Sequence, residues 1–426
     1  MTQAPENAIG IRAWAGTTGG IVAILLLVQF LTGVLLAFYY VPSVDHAHAT
    51  VSYIEKVVSS GSWIRSLHHY GSQWLTLFAF IYVIQLLLTK AYVDRRSQWI
   101  AGVVILGFVM AAGGTGYSLP WDARAFFSTR VAEGLLGGLP FVGRLARLWL
   151  LGGNDISTLT LSRFFALHVL VIPALIIGAV VWRLFGSRIA SLFDQRSAIA
   201  AGLVFAVLAL WCLNHPAPFG PPVAEMTAEY LPRPGSQFLW LYQSLKYIPG
   251  GLGSIAGVVL PGIAFTILVG LPLIKSQQVI GGAILTVFVV LVVAMTSAAY
   301  LDDRGNPQLA RQQAREEVWR REPFKPARIG LAEVKVNAVS GDPPAMYSKF
   351  CAQCHGKSGE GARLGMAQFP PLLGVSAKPQ RTVDDIVALL RDPKAYGLEP
   401  PMTSFTGKLS EEQMKEIAEF VVKLKQ

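Results

Sequence analysis

A chain of 426 residues that is 53% hydrophobic and only 15% charged carries too little polar surface for an ordinary soluble domain. Its net charge of +10 comes without a basic stretch interleaved with aromatics, which excludes nucleic acid as the partner and points to basic membrane flanks. Three cysteines are too few for a disulfide framework.

In chain order, seven apolar runs are long enough to cross a hydrocarbon core about 30 Å thick. They lie at roughly 19–40, 70–92, 99–118, 164–184, 197–214, 252–274 and 279–299. No small-residue cleavage pattern follows the first, so it is expected to be a span rather than a removable signal. His46 and His48 follow it in VDHAHAT, either a metal or partner site or, favoured here, a solvated loop pair. Cys212, alone in the fifth run, reads as a small core residue, and His215 as a helix-end residue.

The loops KAYVDRR, RLFGSRIASLFDQR and IKSQQ are short and net basic, which places them inside. The N-terminus is then inside as well, and seven crossings carry the C-terminal region to the periplasmic, or outer, side of the cytoplasmic membrane. Beyond residue 300 the composition turns charged, in DDRGNPQLARQQAREEVWRREPFKPARIG, which predicts a surface helix and an extended linker. Residues 341–426 predict a small soluble domain closed by SEEQMKEIAEFVVKLK, where Ser410 and Gln413 fit a capping box. The expected fold class is all-α: a polytopic bundle of seven transmembrane helices with a C-terminal soluble all-α domain. The expected boundaries are 1–190, 191–302, 303–340 and 341–426.

Cys351-Ala-Gln-Cys354-His355 is a CxxCH sequence, the attachment signal of a covalent c-type haem. Two thiols at this spacing reach both vinyl groups, and the next imidazole becomes the proximal iron ligand. The rival reading, a zinc or redox CxxC, is disfavoured by the immediate histidine and by the lack of a second ligand pair.

Of seven histidines, only His68, His69 and His168 sit inside or at the mouth of spans. Ionisable groups in a membrane are costly and therefore point to function. His68 and His168 each follow the start of an inward-running span by about one turn, so they lie at similar depth. Two imidazoles facing each other across a bundle suit a bis-histidine b-type haem; helix-to-helix hydrogen bonding is the bland alternative. Gly33 and Gly116, at the outer ends of the first and third spans, offer a bare surface where a flat macrocycle enters. Arg65 and Arg163 stand a few residues outside each histidine, in position to pair with propionates.

The segment IRSLHHYGS resembles the haem-ligand helix of cytochrome b in the bc and b/f complexes, where the ligand stands three residues before a glycine. That resemblance selects His68, with Gly71 as its marker, over His69. TGYSLPWD, GLPFVGRLARLWLLGG and TLSRFFALH are similar to the same family's outer loop and fourth helix, and RPGSQFLWLYQSLKYIPGGLG to its three-helix C-terminal part; the likeness runs from about 16 to 300. The C-terminal domain resembles class I cytochromes c over its whole length, through AMYSKFCAQCHG, an FPPLLG loop and EPPMTSF. By that resemblance Met402 is the distal ligand, which raises the potential, while Met346, Met366 and Met414 are expected to pack. The domain set becomes a cytochrome b-like four-helix haem bundle, a three-helix cytochrome b-like region, a charged linker and a cytochrome c.

Two departures bear on function. The family holds a second haem between histidines fourteen residues further along each ligand helix, about 21 Å on and nearly on the same face. Tyr82 and Trp182 stand there instead, with Gln85 in place of the basic residue beyond, although the inner glycines Gly19 and Gly102 remain. One b haem is therefore expected. The family's outer quinol site also uses a Pro-Glu-Trp-Tyr element, matched here by Pro234, Gly235, Ser236 and Gln237, so its acid is missing; Glu225 and Glu229 are the nearest substitutes.

The leading expectation is a dihaem electron-transfer subunit of a bc-like respiratory complex, an oxidoreductase component of the quinol:cytochrome c type. Electrons pass from a membrane donor, with quinol foremost, through one outer-side b haem to a tethered c haem, without a full Q cycle. Expected partners are the lipid bilayer, other complex subunits including an iron–sulfur protein, and a second copy in a dimer. Two rivals are a conduit with no quinol site, fed by a partner oxidoreductase, and a structural subunit without the b haem. No catalytic residue is assigned.

Overall fold

The computed structural model describes residues 6–153, 155–185, 194–223, 230–231, 233–248, 250–274, 277–324, 342–364, 367–373, 382–396, 404–406 and 409–424. The chain divides into two units, Met1–Phe324 and Lys325–Gln426.

In the first unit the described residues contain seven helices long and apolar enough to span a membrane: Ala13–Ala37, Gly61–Leu88, Arg96–Tyr117, Thr158–Arg183, Gln195–Asn214, Ile255–Leu273 and Val279–Arg304. The second begins well before its hydrophobic run, so both histidines ride on regular helix. Leu25, Leu67, Leu75, Ala79, Val109 and Leu208 form the packed centre among the first, second, third and fifth spans, with Cys212 in the same cluster as expected. Leu203, Leu210, Val287, Val290 and Val293 are exposed, as side chains that meet lipid must be. Because lipid tails are as apolar as leucine, close contact between helices rests on small residues. Gly71 is one such point: a Cβ there would lie 2.4 Å from the Gln29 amide nitrogen.

The fourth span is not a uniform α-helix. Thr158–Ala166 is α-helical, Leu167–Val171 widens into a π turn, and Ile172–Phe185 returns to α. Pro173 explains the widening, since it lacks an N–H and its ring would strike the carbonyl four residues back. The same arrangement recurs in the sixth span, where the π turn Ile255–Val259 precedes Pro261. His168 lies inside the first of these turns.

The segments after the first, third, fifth and seventh spans gather on one face. The Tyr40 hydroxyl donates to Leu119 O at 2.8 Å, and His48 Nε2 to Gly220 O at 2.9 Å. His48 is buried, stacked on Phe219 and edge-on to Trp319. It is therefore neither a solvated loop residue nor exposed for a metal, a correction that follows from its packing under the charged helix. That helix, Pro307–Arg321, begins at Asn306, whose side chain accepts from the Gln308 and Leu309 amides. It was expected on the surface, yet Leu309, Glu316 and Trp319 are buried, and Glu316 pairs with Arg124. A distant partner charge decided this, and a local charge pattern cannot reveal one.

The second unit is built on the helices Pro343–Phe350, Ala352–His355, Val383–Arg391 and Glu411–Val422. Met346, Tyr347, Cys351, Ile386, Leu390, Met414, Ile417 and Val421 make its core. Met346 and Met414 therefore pack, as the sequence implied; Met366 lies outside the described residues. The capping box forms: Ser410 Oγ accepts from the Gln413 amide at 3.2 Å, and Gln413 Oε1 from the Ser410 amide at 2.9 Å. A short antiparallel pair, Ala362–Leu364 with Ala367–Phe369, is the one sheet among the described residues, so the class stays all-α.

Candidate functional site: paired imidazoles in the bundle and a CxxCH helix

His68 and His168 face each other with ring centroids 5.9 Å apart and planes at 80°. Metal–imidazole bonds are about 2 Å long and a ring centroid lies about 1 Å inside its nitrogen, so two rings sharing one metal stand roughly 6 Å apart. The separation therefore fits a single iron between them.

The tautomers fit as well. Thr32 Oγ1 donates to Val28 O at 2.6 Å, which leaves it to accept from His68 Nδ1 at 3.0 Å. His168 Nδ1 donates to Ala112 O at 3.0 Å, with Thr115 Oγ1 at 3.5 Å. On both rings Nδ1 carries the proton and Nε2 keeps its lone pair, the form in which imidazole ligates a metal and in which outer partners orient it. Thr32 and Thr115 each stand one residue before Gly33 and Gly116. Sequence reading passed over both threonines; their repeated position beside a glycine was the available signal.

The glycines clear space for the rings themselves. A Cβ on Gly33 would lie 3.1 Å from His68 Cε1, and one on Gly116 2.4 Å from His168 Cε1. Arg65 is committed elsewhere: buried, its Nε donates to Glu55 at 2.6 Å and its Nη2 to Ala217 O at 2.5 Å, with Pro218 O at 3.3 Å. Arg163 is exposed and donates to Trp149 O. Fourteen residues inward of His68, Tyr82 packs on Gly102, and its hydroxyl accepts from Gln98 Nε2 at 2.9 Å; Trp182 is exposed toward lipid.

The loop matched to the family's quinol element lies against the second and third spans. A Cβ on Gly235 would come within 3.1 Å of the Tyr117 ring, and Tyr117 donates to Arg233 O at 3.1 Å. Ser236 Oγ donates to Gln73 Oε1 at 2.7 Å. Glu225 and Glu229 lie outside the described residues.

In the second unit Cys351 is buried in the core and His355 Nδ1 donates to Pro370 O at 2.9 Å. The FPPLLG loop thus orients the imidazole and leaves Nε2 for a ligand on the far side. Tyr347 donates to Gly356 O at 2.9 Å, bracing the turn behind the motif. Cys354 falls on the same short helix, and Met402 lies outside the described residues.

The molecule is thus a membrane-spanning helical protein with a histidine pair inside its bundle and a CxxCH domain beyond it. Residues 7–189 match the family model for cytochrome b/b6/petB, and residues 341–421 that for subunit III of cbb3-type cytochrome c oxidase. Cytochrome b6 of Prochlorococcus marinus (strain MIT 9211) is 37% identical over 156 residues, 36% of this chain and 72% of the relative. The menaquinol:cytochrome c reductase cytochrome b subunit of Geobacillus thermodenitrificans is 35% identical over 162 residues, 38% of this chain and 72% of the relative. A solved chain of a hyperthermophilic respiratory Complex III covers 74% of this chain and 88% of its own length at a TM-score of 0.55 and 18% identity, a likeness of fold. The chain belongs to the cytochrome b/b6 family and carries a C-terminal cytochrome c-type domain. Both matches are to haem proteins, so its cofactors are haems.

Proposed function

We propose that the chain is a dihaem electron-transfer subunit of a bc-like respiratory complex, with one b haem held by His68 and His168 and one c haem on Cys351, Cys354 and His355. The observation that carries this reading is the imidazole pair, 5.9 Å between centroids with both Nδ1 atoms engaged. A bound haem supplies one-electron redox chemistry. The protein supplies orientation: Thr32, Thr115 and the Ala112 carbonyl fix the rings, Gly33 and Gly116 give them room, and Pro370 O fixes His355. Arg163 is assigned to a propionate of the b haem; Arg65, saturated by Glu55 and two carbonyls, is not. Met402 is assigned as distal ligand of the class I type c haem on the strength of its EPPMTSF context.

The short basic loops support an inside N-terminus, which sets the face bearing the Pro307–Arg321 helix, and the c domain after it, on the outer side of the cytoplasmic membrane. With Tyr82 packed on Gly102 at the inner position, no second haem relays electrons inward, so electrons flow from the b haem out to the c haem without a Q cycle. Quinol is the donor in this reading, as the name of the Geobacillus relative supports; an iron–sulfur subunit and a second copy of the chain are the accompanying partners. A redox-titrated optical spectrum of the purified chain tests it, with equal amounts of b and c haem expected.

One observation favours a second reading. Gly235 stands where the family carries its acid and packs on Tyr117. In that reading the chain is a conduit fed by a protein donor, and quinol reduces neither haem. A subunit without any b haem is disfavoured by the two facing imidazoles, each with Nδ1 engaged and Nε2 left to ligate.

A further inference from the structure

The seventh span ends in Asp302, Asp303 and Arg304, and the three charges are answered differently. Lys246 Nζ donates to Asp302 Oδ2 at 3.1 Å, and Arg233 donates to Asp303. Both carboxylates are thus neutralised, whereas Arg304 is exposed and has no hydrogen-bond or ion-pair partner among the described residues. Arg304 lines an open groove of about 550 Å³ between the end of this span and the charged helix, shared with Ser297 and Leu301 on its own helix and Leu309 and Gln313 on the other. At 3.6 residues per turn, Val290, Val293, Ser297, Leu301 and Arg304 fall on one stripe of the span. Val290, Val293 and Leu301 are exposed. The stripe is therefore a mainly apolar track, about 21 Å long at 1.5 Å per residue, that ends on a guanidinium. Tyr300, also exposed, stands beside that end, where aromatic residues mark the membrane interface.

We infer that this groove holds an anionic phospholipid, with its phosphate on Arg304 and the Gln313 amide and an acyl chain along the stripe below. A guanidinium offers a planar fork of donors that matches two phosphate oxygens. Basic pockets at the ends of spans take anionic headgroups for the same reason. Phosphatidylcholine carries its own cation against the phosphate, whereas phosphatidylglycerol leaves that charge uncompensated. With Asp302 and Asp303 already paired, Arg304 is free to compensate it. A free anion would gain only the guanidinium; a lipid is held at this depth by the bilayer and lays its chain on Leu301. The site is independent of the electron donor, and it lies where the last span hands over to the helix that precedes the cytochrome c-type domain.

The test uses the full-length holoprotein in nanodiscs of equimolar phosphatidylcholine and phosphatidylglycerol, with native mass spectrometry counting the lipid that stays on the released protein. The parent is expected to keep phosphatidylglycerol in preference to phosphatidylcholine, and inorganic phosphate in the buffer should not displace it. A hydrogen bond to a charged group is worth about tenfold or more in occupancy, so Arg304→Gln should lose phosphatidylglycerol by that factor. Arg304→Lys, a point charge without the fork, should keep part of it. Leu301→Trp keeps every charge while filling the groove, and should also lose the lipid. Full retention in Leu301→Trp beside loss in Arg304→Gln, or displacement by inorganic phosphate, would make this a bare anion site and overturn the lipid assignment. Equal retention in the parent and both variants overturns it too, as does a parent that keeps the two lipids alike. Optical spectra of the b and c haems check that each variant is folded; if Arg304→Gln loses haem, Leu301→Trp decides.

Discussion

Tyr82 lies against Gly102, where a Cβ would come within 3.4 Å of its ring, and its hydroxyl is tied to Gln98 at 2.9 Å. A packed and hydrogen-bonded phenol thus stands on the second span where a second haem ligand belongs in the family. The expected haem content follows: one b haem for each c haem. Pyridine haemochrome quantification of the purified chain checks it, and two b haems per c would refute the single-centre reading.

The two glycines beside the imidazoles should not be equivalent. A methyl group on Gly116 would collide with the His168 ring at 2.4 Å, whereas one on Gly33 would only press the His68 ring at 3.1 Å. Gly116→Ala is expected to abolish b-haem binding, and Gly33→Ala to weaken it with part retained. His68→Ala should remove the b signal altogether and leave the c signal intact. The reverse order for the glycine variants would mean that the rings are held differently.

Thr32 accepts from His68 Nδ1 and donates to Val28 O. Thr32→Val keeps the shape and removes the acceptor. Outer partners of this kind are worth about 10–100-fold in affinity, so haem titration of the apoprotein should show a loss of that size with the fold preserved.

Glu316 and Arg124 form a buried ion pair that fastens the charged helix to the membrane unit, with Tyr230 donating to Glu316 at 3.2 Å. Removing one partner of a buried pair costs about 3–5 kcal/mol. Glu316→Ala should therefore release Pro307–Arg321, read as rapid proteolysis within that helix while the spans remain protected.

Burial pushes the Tyr347 phenol up to about 12. The folded cytochrome c-type domain then holds this proton more tightly than the unfolded chain, whose phenol titrates near 10. The stability it contributes is full below about pH 10 and is lost as pH rises toward 12. Tyr347→Phe should flatten that alkaline decline in denaturant melts; an unchanged slope would assign it to another group.

The sequence by itself determined the seven spans, the CxxCH motif and the histidine spacing, because lipid demands long apolar helices and haem attachment demands adjacent thiols and imidazole. These are local requirements, written in neighbouring residues. Tertiary structure alone decided what each polar group answers to. Arg65 turned out to be spent on Glu55, His48 to be buried under Trp319, and the charged helix to be docked through Glu316, since each partner lies in a separate segment. The same holds at the site, where Thr32 and Thr115 meet the imidazoles only when the spans are packed. A hydrogen bond is a relation across space, and the chain records only its two ends.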